Sequence, residues 1–484
     1  MTRVQADSRP HQPILSWRTA KMKIEGQQLA HDCAPARQSS HGLADRLARA
    51  GGKVLTTLAV AGTVAFGAAG TATAQPAKPF TFIAYGDSRS MMYLPYTKAD
   101  TAKIHSSLVQ IFSIILAQRV AEAIVQKDVK LSFDPKTGAL TGVEMPFITR
   151  SEVARLTFQD GWVTEATVED IKLAPGVRTV MYRNYGGDWV GNSVAREMKT
   201  GVPKFVLNTG DVVWWGAQGR TVQDSPYWKR MNDLLFSHLP PPDAEMKAAG
   251  LEGRYFPSVG NHEVWDDPQI EGVLSAAPYL KKLGVSAEKL TYTYDFGGAR
   301  FIFLWTGKAD RFSPSGWDAT RPVYKEQLKQ LITWLDEAKA KRIRNVFVVF
   351  HNPVYNRAGF APIPEDTNPH STLASYAKDF AEIVVLNGHV HTTEHFNVDG
   401  VQYIVLGGGG AEQDPILPGR TAIPRPAGYP PDLYWNGKPP IEEYNYLTFN
   451  VKPGEKSNVT LKRFRPTTST PFEEVTLSKG GPAK

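Results

Sequence analysis

The chain has 484 residues, 42% of them hydrophobic and 21% charged, enough for one large domain or two modest ones with a substantial core. Its formal charge of +7 is uneven: residues 1–74 hold nine Lys/Arg against four Asp/Glu, and residues 75–484 hold 46 against 44. That near balance gives no support to a nucleic-acid or membrane-surface partner.

The first element in chain order is a leader. Arg46, Arg49 and Lys53 form a basic flank, and Val54 to Ala69 is a run of small and apolar residues with three Thr. Ala72-Thr73-Ala74 fits the small-x-small cleavage rule, which predicts a signal peptide cut after Ala74 and a secreted or periplasmic product beginning at Gln75. As a membrane anchor the run is short and Gly/Ala-rich, since a stable span takes about 20 strongly apolar residues. No membrane span is therefore expected after cleavage. No adjacent arginine pair precedes the run, so a twin-arginine signal is not indicated. The one cysteine, Cys33, lies in this leader, so residues 75–484 can form neither a disulfide nor a thiolate metal site.

Short apolar runs then alternate with helical patterns. Strands are predicted at Phe80–Tyr85, Lys204–Asn208, Tyr255–Val259, Phe301–Trp305, Asn345–Phe350, Ile383–Asn387 and Gln402–Leu406. Helices are predicted at Ala102–Gln126, Trp189–Lys199, Tyr227–His238, Gln269–Leu283, Tyr324–Lys341 and Thr372–Phe380. Thr291–Phe296, Gly297-Gly298 and Phe301–Leu304 read as a hairpin. Residues 128–187 break the rhythm and read as a small β-rich insertion or cap. Residues 410–442 are Pro- and Gly-rich and read as a long loop, followed by closing strands at Tyr446–Val451 and Asn458–Phe464. The alternation predicts a layered α/β fold over residues 75–484.

Five of these strands run into polar motifs. They are Gly86-Asp87-Ser88-Arg89, Gly210-Asp211, Gly260-Asn261-His262-Glu263, His351-Asn352-Pro353 and Gly388-His389-Val390-His391. Ligands gather beyond the carboxyl ends of strands in open α/β sheets. Carboxylates, imidazoles and one amide in that place form a donor set for hard or borderline divalent and trivalent metals. A lone Gly-Asp or Asn-His carries no weight; five in series are far more specific. The chemistry indicated is metal-assisted hydrolysis, with a phosphate ester as the foremost substrate class.

The order and spacing of these motifs resemble the calcineurin-like metallophosphoesterase superfamily, which includes the purple acid phosphatases, over most of residues 80–410. The resemblance implies a β-sandwich flanked by helices and two metal ions, with Mn, Fe or Zn as candidates. Asp87 and His391 would bind metal 1, Asp211 would bridge both, and Asn261, His351 and His389 would bind metal 2. Metal-bound hydroxide would attack the ester. His262 would serve the leaving oxygen or hold the phosphoryl group. Glu263 would belong to the catalytic set by orienting His262 or its loop, and Asn261 would also face substrate.

Two positions depart from the family. Its first motif commonly reads Asp-x-His, with the His as a metal-1 ligand, but here the third residue is Arg89. Purple acid phosphatases, which also lack that His, use a Tyr three residues after the bridging Asp; here that residue is Trp214. An arginine stays protonated and cannot ligate a cation. Arg89 is either a substrate-binding clamp on phosphate oxygens or a salt bridge filling a lost ligand position.

Other features read more plainly. His105, His238, His370 and His395 fall outside the motifs, with His395 close enough in sequence to line the site. Gly407–Gly410 lacks the Lys-Ser/Thr of a P-loop and resembles the Gly-rich turn after the family's last metal-binding strand. Trp214 and Trp215 read either as an apolar wall at the site or as core, with core favoured. Tyr182, Tyr185 and Trp189 could edge a cleft, and Asn458-Val459-Thr460 matches a glycosylation sequon. The leading reading is an exported metallophosphoesterase. A non-catalytic protein of the same fold, binding a metal and a phosphate-bearing ligand, is the alternative because of Arg89 and Trp214.

Overall fold

Phe80–Tyr85 (β1) has no polar face, and all six residues are buried, as a strand covered on both sides requires. It belongs to a computed structural model that describes residues 78–89, 92–115, 124–125, 127–146, 152–172, 175–176, 178–183, 185–217, 220–265, 267–306, 322–356, 368–412, 444–464, 473–478 and 481–482. The leader and the signal-peptide reading lie outside these residues, as does nearly all of the Pro/Gly-rich loop.

A five-stranded antiparallel sheet follows: Lys130–Phe133 (β2), Leu140–Pro146 (β3), Glu152–Gln159 (β4), Trp162–Asp170 (β5) and Arg178–Arg183 (β6). The sheet falls in the segment 128–187 that reads as β-rich, and helix Tyr185–Lys199 overlaps the end of that segment.

The next strands are Pro203–Asn208 (β7), Tyr255–Pro257 (β8), Tyr292–Phe296 (β9), Ala299–Phe303 (β10), Asn345–Val349 (β11), Glu382–Asn387 (β12), Thr393–Val398 (β13), Val401–Leu406 (β14) and Tyr444–Val451 (β15). Asn458–Phe464 (β17) and Glu473–Ser478 (β18) complete one main sheet, while Glu455–Lys456 (β16) pairs with Gly481–Pro482 (β19) in a separate two-stranded sheet. One sheet runs β18-β17-β15-β1-β7-β8 and the other β13-β14-β12-β11-β10-β9. Within them β1, β7 and β8 are parallel, as are β10, β11, β12 and β14. Their carboxyl ends therefore deliver the five motifs.

Aromatic side chains join the two sheets. Phe82 stacks on Phe449 at 4.6 Å within its own sheet and meets Phe347 of the other edge-on at 5.0 Å. Phe205 meets Phe301 edge-on at 5.1 Å. Each such ring contributes roughly 1.5–3 kcal/mol by leaving water. On the outer face of the second sheet, Ile302, Val348 and Val385 pack with Leu331 and Leu335 of helix Pro322–Ala340.

Helix ends differ from the sequence reading where backbone chemistry intervenes. The segment expected as one helix over Gln269–Leu283 is split into Glu271–Ala276 and a 3₁₀ turn, Pro278–Leu283. Pro278 has no N–H to continue the ladder and drives Ala277 out of helical geometry, to φ −134°. Similarly, Tyr227–His238 becomes helix Pro226–Leu234 and 3₁₀ turn Phe236–His238. Of the helix expected over Ala102–Gln126, Thr101–Ile115 is described and helical, and residues 116–123 and 126 lie outside the described residues. Among the described residues, no helix is long and apolar enough to cross a membrane.

Candidate metal centre

The motif residues converge. Asp87, Asp211 and His391 form one group of potential ligands and Asp211, His351 and His389 another, each with donor atoms within 4.8 Å of one another. Asp211 belongs to both. Asn261 joins the second group, its Oδ1 lying 3.0 Å from His351 Nε2 and 3.1 Å from His389 Nδ1. All of these residues except His389 and Asn261 are classed as buried.

The backbone is bent to achieve this. Asp87, Asp211 and His389 have φ of 53°, 55° and 65°, a left-handed conformation that costs a non-glycine residue roughly 1–3 kcal/mol. Gly210, at φ 103°, lets the loop close over His351; a Cβ there would lie 2.7 Å from His351 Nδ1. Gly407–Gly410 is likewise a close backbone crossing: Gly409 N–H donates to Gly86 O at 2.9 Å, and Ala411 N–H donates to Asp87 O at 2.8 Å. It ties the first motif to the end of β14 rather than offering its amides to a phosphate.

Glu263 organises the loops. Its carboxylate accepts backbone N–H bonds from Gly260 at 2.6 Å, Asp211 at 3.0 Å, Val212 at 2.5 Å and Val213 at 3.3 Å. Burial and the Asp211 charge push its pKa up to about 7, against the pull of these donors. Of the two positioning roles open to it, this geometry serves the loop: every hydrogen bond it makes is to backbone.

The donor set fits a cation. His351 Nδ1 is 2.9 Å from Thr209 O. A carbonyl only accepts, so Nδ1 carries the hydrogen and Nε2 of the neutral ring presents a lone pair. That lone pair meets Asn261 Oδ1 at 3.0 Å and Asp211 Oδ1 at 3.2 Å, both acceptors. Three acceptors at such range repel unless positive charge lies between them. Burial alone would lower the His351 pKa, but Asp211 outweighs it and lifts it to about 9. The pocket thus demands a proton or a metal ion at that point. Only oxygen and nitrogen donors converge, as borderline metals accept.

His262 sits beside this cluster. Its ring lies 3.8 Å from the Trp265 ring and 5.0 Å from Trp214, centroid to centroid. Nδ1 donates to Trp214 O at 2.8 Å, leaving Nε2 toward Asp211 Oδ2 at 3.7 Å. Burial lowers its pKa well below the usual value, and the Arg89 charge adds to this.

Arg89 is 4% exposed. Its Nη2 donates to Glu412 Oε1 at 2.8 Å, and its guanidinium stacks 4.1 Å over the Trp214 ring. Nε lies 3.8 Å from Asp211 Oδ2, and Nη2 3.5 Å from His391 Nε2. Burial opposes the charge, yet Glu412 and Asp211 hold the pKa above the ordinary arginine value. Arg89 thus makes a salt bridge with Glu412, and among the described residues Nε and Nη1 make no hydrogen bond.

Trp214, read as core in preference to wall, is buried and also forms a wall of the site. Trp265 and Glu412 were not singled out from the sequence. Glu412 directly follows the Gly-rich turn, which is the signal that points to it. His395 lies away from the ligand groups and makes a hydrogen bond to Gln402 at 3.2 Å. His370 bonds Tyr403 at 2.7 Å and Asp399 at 3.1 Å. Trp189 is half-buried on its helix, and the side chains of Tyr182 and Tyr185 lie outside the described residues.

Residues 190–393 match the calcineurin-like phosphoesterase family model. That span includes Asp211, Asn261, His262, Glu263, His351, His389 and His391, and leaves Asp87 and Arg89 outside it. No curated protein matches the chain. Among solved structures, a dimetal phosphatase from Danio rerio is 12% identical at a TM-score of 0.38, covering 83% of this chain and 99% of its own. GAP50, the anchor in the inner membrane complex of Plasmodium, is 14% identical at 0.37, with 61% and 85% covered. A putative 5'-nucleotidase from Staphylococcus aureus is 13% identical at 0.29, with 55% and 45% covered. Over residues 190–393 the chain is thus similar to the calcineurin-like phosphoesterase family.

Proposed function

We propose that the protein is an exported, metal-dependent hydrolase of phosphate esters with a dinuclear centre. Asp87, Asp211 and His391 would hold one cation, and Asp211, Asn261, His351 and His389 the other. Asp211's membership in both ligand groups carries this reading. Two bound cations supply Lewis-acid activation of a phosphoryl oxygen and make bound water more acidic.

The chain's own residues do the rest. Asp211 balances positive charge from both sides. Thr209 O fixes the His351 tautomer, so its Nε2 is always the presented atom. His262, boxed by two indoles and tied through Nδ1, keeps Nε2 as the atom that holds or passes a proton near the leaving oxygen. Glu263 holds both loops in register. Trp214 and Trp265 exclude water from one side.

The test is hydrolysis of p-nitrophenyl phosphate and bis-p-nitrophenyl phosphate by protein stripped of metal and reloaded with Mn²⁺, Zn²⁺ or Fe. Turnover that appears only on reloading is the expected result. Protein that takes up no metal would overturn the reading. The Arg89–Glu412 pair favours one second reading, a binder without turnover, which would retain phosphate yet hydrolyse neither ester. Export is tested by amino-terminal sequencing of the secreted product, where Gln75 is the expected first residue.

A further inference from the structure

Arg89 poses a charge problem that the rest of the centre does not solve. Its guanidinium is buried, cannot lose its proton, and sits against Asp211 and His391, two candidate ligands. Cations at those ligands would take up the Asp211 charge and the His391 lone pair. Arg89 would then face like charge, with one anionic partner left, Glu412 at 2.8 Å. Glu412 lies at the rim, its side chain 28% exposed, while Arg89 lies beneath it at 4%. Among the described residues, two buried guanidinium nitrogens, Nε and Nη1, find no hydrogen-bond partner, and neither does Glu412 Oε2. The pair is therefore charge-matched but far from saturated: donors remain for another anion, and the carboxylate that would repel that anion is already in place.

We propose that Glu412 is a resident counter-anion of Arg89 that weakens the hold of the centre on phosphate, so that inorganic phosphate can leave. The inference rests on reading the centre as a phosphate site. Two cations and a buried guanidinium together would bind a phosphate dianion very tightly. A fixed carboxylate on the same guanidinium lowers that affinity through its negative field, and it keeps Arg89 charge-balanced once the anion has gone. Glu412 reaches this place because the Gly407–Gly410 crossing carries the chain from the end of β14 past the first motif, with Ala411 bonded to Asp87. The residue that replaces the expected histidine is thereby neutralised by a residue from the far end of the fold.

Isothermal titration of inorganic phosphate into the Mn²⁺-loaded mature chain tests this. Glu412→Gln should bind phosphate about tenfold more tightly than the parent, the scale of one removed charge a few ångströms away. The gain should vanish when Arg89→Gln is combined with it. Glu412→Asp, which keeps the charge, should remain within about threefold of the parent. Should the Gln variant not fold, Glu412→Ala carries the same expectation, because water can enter at the exposed rim. Phosphate binding that is unchanged or weaker in the neutral variants would overturn the inference and leave the hydrolase reading standing. Likewise, an Asp variant that behaves like Gln would assign the effect to packing and overturn it. Parent protein that holds Mn²⁺ yet binds no phosphate would instead overturn the reading of the site on which the inference rests.

Discussion

The two halves of the candidate centre share Asp211 but are assembled differently. In the His351–His389–Asn261 half, His351 Nε2 meets the acceptors Asn261 Oδ1 and Asp211 Oδ1 at 3.0 and 3.2 Å, and a backbone carbonyl sets the His351 tautomer. The charge that relieves this repulsion is either a proton on His351, whose pKa Asp211 lifts to about 9, or a cation. In the Asp87–His391 half, a buried guanidinium stands beside the ligands and brings its own carboxylate. The first half is preorganised by mutual repulsion that a cation relieves. The second is already partly compensated by Arg89. The difference teaches that two sites sharing a ligand need not be equal: the second should hold its metal less firmly.

The most damaging change to this picture is Asp211→Asn, because it removes charge from both halves at once. Elemental analysis after incubation with Mn²⁺ should show both metals lost, and ester hydrolysis should fall to background. If one metal is retained at full occupancy, Asp211 does not bridge.

His262→Ala should lower turnover by roughly 10²–10⁴-fold while both metals stay. The loss should shrink for leaving groups that are already acidic, such as p-nitrophenol. Equal loss on good and poor leaving groups would move His262 from proton transfer to holding the phosphoryl group.

The asymmetry itself is tested by Asn261→Ala against Asp87→Asn. Each should remove about one metal per chain, but from different halves. A metal titration of the parent should resolve two steps, and the tighter step should disappear only in Asn261→Ala. Loss of the tighter step in Asp87→Asn would invert the comparison.

How much of this was legible in the sequence follows from the physics of each feature. The parallel strands were readable because a strand buried on both faces is a continuous apolar run, as in Phe80–Tyr85 and Asn345–Val349. The candidate ligands could be proposed from sequence because they sit at the ends of those runs. Strand Thr393–Val398 was not: it carries buried Glu394 and His395, so its composition hides it. The partners of Arg89 and His262 were not readable either. Arg89 meets Glu412 from 323 residues away, and His262 meets Trp214 through a backbone carbonyl, which every residue possesses. Pairings of that kind are set by how loops cross, and no local pattern encodes them.

Glu263→Gln probes the scaffold common to both halves. The substitution keeps the shape but turns one acceptor into a donor facing backbone N–H groups, and it removes the charge. A loss of about 1–3 kcal/mol in urea denaturation of the metal-free protein is expected, because the new amide N–H₂ leaves a buried backbone N–H facing a donor and unsatisfied. Metal binding should weaken in both halves together, since Glu263 ties the Asp211 loop to the Gly260–Asn261 loop. Weakening confined to one half would show that the loops are held separately.

The smallest effect is expected from Trp214→Phe, which acts on Arg89 and on the packing of the His262 ring. Trp214 supports the guanidinium at 4.1 Å, and its Nε1 is buried without a hydrogen-bond partner. Replacing indole by phenyl weakens the cation–π contact by roughly 0.5–1 kcal/mol but also removes an unsatisfied buried N–H. The two changes oppose each other, so stability should move by less than about 1 kcal/mol. Phosphate affinity should shift two- to fivefold, because a less firmly held Arg89 changes the geometry it offers to an anion. Occupancy of the His351–His389 half should not change, since Trp214 contributes no atom to it. A fall in that half's metal affinity would mean that the indole braces the shared Asp211, and the two halves would then be coupled through packing as well as through their common carboxylate.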